Sequence, residues 1–419
     1  MIAHLYLHDL YDSSFQELIN SNFVDNRTLK VHITRTATII PCTTTGPSAR
    51  GGVIDESGNY IGFSGFDTLS DVDRYNPPVD SDCQNAARDT SLDNAIYLGF
   101  VRRHWGHFLI DSLSRLWYAI KENSSAPLLY FGEKIPDKGT DADLLRLIGV
   151  DLNRLIYIDH PVTVSHLCIP EPSLIPGRYV TPEFLSVFNL AVDNAINRAD
   201  TGRTWPSKIY LSRCRLPSHL TSEFGEDPIE DIYRRNNYSI IYPETLPLTE
   251  QICYLSHASK IAFVSGTLGH TLLFAKEDTD VTILRKSVKQ NYRQIMVNQI
   301  KNLRVTYVDI YVQLASVDAS GPFCIVVNNH FFDYCRDNGM HLSEKSFYAR
   351  KNKSVLFQYR KQLLLRLLKR CVKRQGKMEN YLFSEQHQFD LKVSDKLLRK
   401  YYCISSSKTQ TGSSHAKRV

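Results

Sequence analysis

The chain has 419 residues, 42% of them apolar and 22% charged, with a formal net charge of +6. That length exceeds one ordinary domain, and the composition is that of a globular protein with a core, not a fibrous or disordered one. Nine cysteines, odd in number and without a CxxC pair, exclude a disulfide framework and a cysteine-built zinc site. No run reaches the roughly 18 apolar residues of a membrane span, and the start MIAHLYLHDL lacks a signal-peptide pattern, so the expected location is cytoplasmic. The positive charge is local: eleven basic and no acidic residues lie between Arg350 and Lys377, and the net charge becomes −5 once that stretch is set aside.

In chain order, residues 29–67 read as strands and hairpins, with a Ser-Gly-Asn turn inside GVIDESGNYIGF. After a polar stretch through Cys83 the pattern alternates: strand AIYLGF, a helix over His107 to Ile120, strand PLLYFG, helix DADLLRLIG and strand RLIYID. A long amphipathic helix follows Thr181, and DTGRTWPS reads as a linker. A second, more regular alternation then runs from KIYLSR to RVTYVDIYV. The expected architecture is α/β, with two Rossmann-like domains facing across a cleft: residues 1–198, 199–345, a basic helical tail over 346–405 and disorder over 406–419.

Four stretches carry candidate chemistry. In HWGHFLIDSLSRLW, helical spacing puts His107, Asp111, Ser114, Arg115 and Tyr118 on one face and Leu109, Leu113, Leu116, Trp117 and Ile120 on the other. That polar face is either a solvated surface with an Asp111–Arg115 pair or one wall of a site. A zinc reading of His104 and His107 lacks further ligands at recognisable spacing. In VSGTLGHTLLF, a strand ends at Val264 and Ser265, Gly266, Thr267, Gly269 and His270 form a turn and helix start suited to phosphate, although the stretch matches neither GxGxxG nor a P-loop. Arg213 and Arg215 close the strand KIYLSRCR, where planar guanidinium groups suit a diphosphate. Glu244 and Glu250 are candidates for ribose hydroxyls, or for a helix cap and first-turn acid. The DxD triplets at Asp71, Asp141 and Asp278 read as turns.

Taken in order, HWGHFLIDSLSRLW, KIYLSRCRLP, GEDPIEDIYRRNNYSIIYPETLPLTEQI and AFVSGTLGHTLLF resemble glycosyltransferase family 61, especially its bacterial branch linked to capsular and surface polysaccharides. The resemblance covers roughly residues 90–290 and implies a GT-B fold. It also implies inverting transfer from a nucleotide sugar to a glycan or lipid-linked glycan, generally without a bound metal or other cofactor. It places the His107–Arg115 face on the acceptor side, and Arg213, Glu250 and Ser265–His270 on the donor side. On that basis His107 is the expected base with Asp111 holding its tautomer, Asp111 acting directly being the alternative. Many eukaryotic members read His-Gly-Ala-Gly where this chain has Ser265-Gly266-Thr267-Leu268, with His270 following.

In the tail, Leu356, Tyr359, Leu363, Leu367 and Cys371 recur at helical spacing among basic residues. Such a helix, residues 350–377, either lies on an anionic membrane surface or packs its apolar face on the domains. A nucleic-acid partner is not expected beside an acidic body with no nucleic-acid-binding module. A non-catalytic nucleotide or sugar binder of the same fold is the alternative to an enzyme.

Overall fold

A computed structural model describes residues 2–8, 12–46, 48–65, 75–79, 91–199, 202–217, 222–289, 291–314 and 321–373. Cys83, Cys403, the Asp71–Asp73 triplet and residues 374–419 lie outside the described residues. The chain is a mixed α/β protein built on two main sheets.

The first is seven-stranded and mixed. Ser91–Val101, Leu128–Gly132, Leu155–Tyr157 and Val162–Pro170 run parallel, and the β-rich start, Val31–Thr34, Ala37–Ile40 and Gly52–Asp55, adds antiparallel strands at one edge. The Ser-Gly-Asn hairpin forms as its residues require: Gly58 takes φ 82°, and the Asp55 carboxylate accepts from the Ser57 and Asn59 N–H groups. Val162–Pro170 is absent from the expected elements, yet it is central, lying between Ser91–Val101 and Ala37–Ile40. From Ser91–Val101 the chain steps to Leu128–Gly132 on one side and later returns to Val162–Pro170 on the other. The carboxyl end of Ser91–Val101 is therefore a topological switch point, where helices diverge and leave a crevice.

The second sheet is six-stranded and all parallel. Its strands are near-continuous apolar runs such as Lys260–Val264 and Asp280–Arg285, as burial on both faces demands. From Lys208–Leu211 the chain moves to Ser239–Ile241 and then crosses to Lys260–Val264, so a second switch point opens between the carboxyl ends of Lys208–Leu211 and Lys260–Val264. The division at residue 198 differs in one respect: Ile2–Tyr6 pairs with Arg304–Asp309 and completes the second sheet. The edge of Arg304–Asp309 is thereby covered, and the His8 N–H donates to the buried Asp309 carboxylate at 2.9 Å.

The helix Pro182–Arg198 joins the two halves. Phe184, Val187, Phe188, Ala191 and Ala195 are fully buried in a single core that also holds residues of both sheets' helical layers. Phe188 meets Phe274 across this layer at 5.7 Å between ring centres.

The tail forms one helix, Lys345–Lys373. Its Leu356 and Tyr359, with Leu363, pack on Val312, Cys324 and Val326, as the packing alternative expects. The Leu367 and Cys371 side chains lie outside the described residues. No helix among the described residues is long and apolar enough to cross a membrane.

Candidate active site

The first switch point carries HWGHFLIDSLSRLW. One α-helical turn, Trp105–His107, runs into a π-helical stretch, Phe108–Ser112, before the helix resumes at Leu116–Lys121. The expected continuous helix is thus broken, and the wider turn is the kind of irregularity that gathers at functional sites. Ser112 ties it to the sheet by accepting from the Arg102 N–H at 3.0 Å and donating to the Arg102 carbonyl at 3.2 Å. Ser173 holds it from the other side through the Ser114 carbonyl at 2.7 Å.

Burial decides between the two readings of the polar face. Of that face Asp111, Ser114 and Arg115 are buried and His107 and Tyr118 partly exposed, so it is not a fully solvated surface. Asp111 pairs with His107, Nδ1 to Oδ2 at 2.6 Å, and with Arg293, Nε to Oδ1 at 3.5 Å. The Asp111 side chain is 1% exposed and that of His107 is 26% exposed. A carboxylate only accepts, so Nδ1 carries the proton and Nε2 presents its lone pair. Arg115 shares a cavity wall with Asp111 but has other partners. It donates to the Phe63 carbonyl and, at 2.8 Å, to the Gly65 carbonyl, anchoring that loop, and makes no pair with Asp111. The π turn and the loop after it rotate the later residues away from a 3.6-residue periodicity.

The second switch point gathers positive charge. The Lys286 N–H donates to Ser265 Oγ at 3.2 Å, joining the ends of Lys260–Val264 and Asp280–Arg285. A Cβ on Gly266 would lie 3.4 Å from Lys286 Nζ and 3.6 Å from an Arg213 terminal nitrogen, so both cations converge over bare backbone. Glu223 binds both, Arg213 at 3.0 Å and Lys286 more closely. Burial would raise the Glu223 pKa, but Lys286 and Arg213 hold it at about 2. Glu226 beneath them, accepting from the Tyr210 hydroxyl and the Arg213 N–H, is pushed by burial up to about 7.

The other donor-side candidates are more peripheral. Arg215 is exposed and stacks on Tyr242 at 3.9 Å. Glu244 is exposed on the short turn Pro243–Thr245, and Glu250 pairs at 2.7 Å with Arg203 of the linker. Glu250 opens the helix Leu248–His257 as a first-turn acid. The segment Thr267–Phe274 is a 3₁₀ helix, not an α-helix.

The two switch points meet at Gly106. A Cβ there would come within 2.7 Å of His270 Nδ1 and 2.9 Å of Thr267 Cγ2, so only glycine permits this contact. Partial burial lowers the His104 pKa, with the charges of His107, Arg102 and Arg213 adding to it and Glu133 opposing. His270 is enclosed and neither ring nitrogen makes a well-formed hydrogen bond. Burial, aided by Arg293 and opposed by Asp111, lowers its pKa from 6.5 to about 4.

This has a consequence for stability. Between those pKa values the unfolded chain binds a proton that the folded chain refuses, so stability is full above the unfolded value and falls on acidification. From about pH 7.5 to about pH 5 the loss from this group is about 2 kcal/mol. Urea unfolding of the native protein and of His270→Asn is expected to show that much less acid loss in the variant, and equal acid loss in both would contradict the assignment.

Beside Asp111 lies a cavity of about 170 Å³, walled by Ser114, Arg115, Phe63, Glu171, Arg178 and Tyr179. Among the described residues no three His, Cys, Asp or Glu side chains gather as a metal-binding cluster. Asp141 pairs with Arg103 and Asp280 with Arg304. Arg293, Lys286 and Glu223 were not among the sequence candidates. Lys286 had a legible signal, a basic pair closing a strand as at Arg213, whereas Arg293 reaches Asp111 only through the tertiary fold.

Residues 105–282 match the model of the glycosyltransferase 61 family, which supports a glycosyltransferase. No curated protein matches the chain. Among solved structures, similarity extends to a dodecameric iron-containing heptosyltransferase, TibC, in complex with ADP-D-β-D-heptose. That match has 12% identity, 47% of this chain, 60% of that chain and a TM-score of 0.24. A second is the bacterial iron-containing dodecameric glycosyltransferase TibC from enterotoxigenic E. coli H10407, with 10% identity, 56% of this chain, 63% of that chain and a TM-score of 0.24. The chain thus spans under two thirds of either structure, and the fold rests on its own topology.

Proposed function

We propose that the protein is an inverting GT-B glycosyltransferase that moves a sugar from a nucleoside-diphosphate donor to a glycan or lipid-linked glycan acceptor in surface polysaccharide synthesis at the cytoplasmic face. The observation that carries this reading is the meeting of two switch points, one bearing the His107–Asp111 pair and the other the Arg213–Lys286 pair over Gly266. His107 Nε2 takes the proton of the acceptor hydroxyl as its oxygen attacks the anomeric carbon, while Asp111 fixes the ring and balances the imidazolium. The bond from that carbon to the diphosphate breaks on the opposite face, and Arg213, Lys286 and the Gly266 turn take up the leaving charge. The greater exposure of His107 favours it as the base, and Asp111, which lines the cavity beside it, is the alternative base. The cavity beside Asp111 supports an acceptor side on the first sheet.

The test is a thermal-shift screen of nucleoside diphosphates and nucleotide sugars, followed by an assay for sugar-nucleotide cleavage. A matched donor at 100 times its dissociation constant adds about 2.7 kcal/mol and is then consumed. Stabilisation by a donor that is never consumed, with any acceptor, would favour the non-catalytic binder instead.

A further inference from the structure

We propose that the outward face of the helix Lys345–Lys373 docks on an anionic lipid surface. This helix satisfies one apolar face internally, with Tyr348, Asn352, Leu356 and Tyr359 buried. A second apolar stripe remains in solvent: Phe357 is 73% exposed, Leu364 58% and Leu365 43%. These residues, with Lys361 among them, fall at i, i+4, i+7 and i+8 and so share a face roughly opposite Tyr359. The packing and membrane readings of this helix therefore apply to different faces of it.

Charge selects the occupant. The 29 residues carry ten Lys or Arg and no Asp or Glu. Arg350, Lys353, Arg360 and Lys361 are exposed around the apolar stripe. Basic side chains bordering exposed Phe and Leu match a bilayer interface, where rings and aliphatic groups enter the acyl boundary while lysine and arginine meet anionic headgroups. Residues 374–419 are a poorer match for the same face, since they hold nine basic against four acidic side chains and would bring like charge to it. Docking here rests on the helix alone and does not depend on the reaction proposed above.

The experiment is flotation of the full chain with vesicles of phosphatidylcholine, with and without phosphatidylglycerol. The native protein is expected to float with the anionic vesicles only, and to be released by salt. Phe357→Asp with Leu364→Asp is expected to weaken binding at least about tenfold, with an unchanged melting temperature and unchanged stabilisation by nucleoside diphosphate. Lys353→Glu with Lys361→Glu, which keeps the apolar stripe, is expected to lose the preference for anionic lipid. Absence of vesicle binding by the native protein, undiminished binding by the Asp double variant, or a dimer in sedimentation that those substitutions abolish without any vesicle binding, would each overturn the proposal.

Discussion

Asp111→Asn is expected to lower the rate of sugar transfer by about 10³- to 10⁴-fold with little change in donor affinity. The carboxylate accepts from His107 Nδ1 at 2.6 Å and so keeps the proton of the neutral ring off Nε2. An asparagine amide of the same shape can donate to Nδ1, which moves the imidazole proton to Nε2 and leaves no lone pair for the acceptor hydroxyl. It also removes the negative charge that balances an imidazolium, while Arg293, 12% exposed at its side chain, stays in place. The donor contacts proposed above lie on the second sheet, so binding of nucleoside diphosphate, read by titration, is expected to hold. Steady-state transfer by the variant within a few-fold of the native rate would remove Asp111 and His107 from the chemistry.

Arg213→Ala is expected to cost about 10²- to 10³-fold in turnover and to weaken nucleoside diphosphate binding at least about tenfold. In the free protein Arg213 and Lys286 share the carboxylate of Glu223, with Glu226, its pKa raised to about 7, only partly ionised beside them, which leaves an excess of positive charge over Gly266. Without Arg213 that excess disappears, and Lys286 is left neutralised by Glu223. The effect falls on both binding and chemistry because charge accumulates on the diphosphate as its bond to the sugar breaks. Isothermal titration with nucleoside diphosphate, alongside turnover, separates the two contributions. Unchanged affinity together with unchanged turnover would show that the diphosphate sits elsewhere.

The second sheet was legible because buried parallel strands write themselves as apolar runs of fixed length between helices, as KIAFV and DVTILR do. The first was harder to read. Val162–Pro170 alternates β-branched and polar residues between proline-bearing loops and pairs parallel on one side and antiparallel on the other, which no local pattern announces. Ile2–Tyr6 carries no strand expectation in the sequence reading, and only the fold reveals that it completes a sheet some three hundred residues away in sequence.

The site divided in the same way. His107 and Asp111 were found by helical spacing because one turn separates them, and their pairing survives in the π-helical stretch. Arg115 lines the cavity beside Asp111, as that spacing groups them, but its guanidinium meets the Phe63 and Gly65 carbonyls instead of Asp111. Gly106 is required by His270 pressed against it, a contact between elements that its local sequence does not announce. Arg293 and Glu223 had no local signature, because each acts on a partner supplied by another element.

The central claim is that the meeting of the two switch points is a glycosyl-transfer site. It is tested most directly by measuring nucleoside diphosphate release from a panel of nucleotide sugars by the native protein, Asp111→Asn and Arg213→Ala. The account predicts a donor that the native protein consumes and that both variants consume at least about a hundredfold more slowly while remaining folded. Undiminished release by both variants would contradict it.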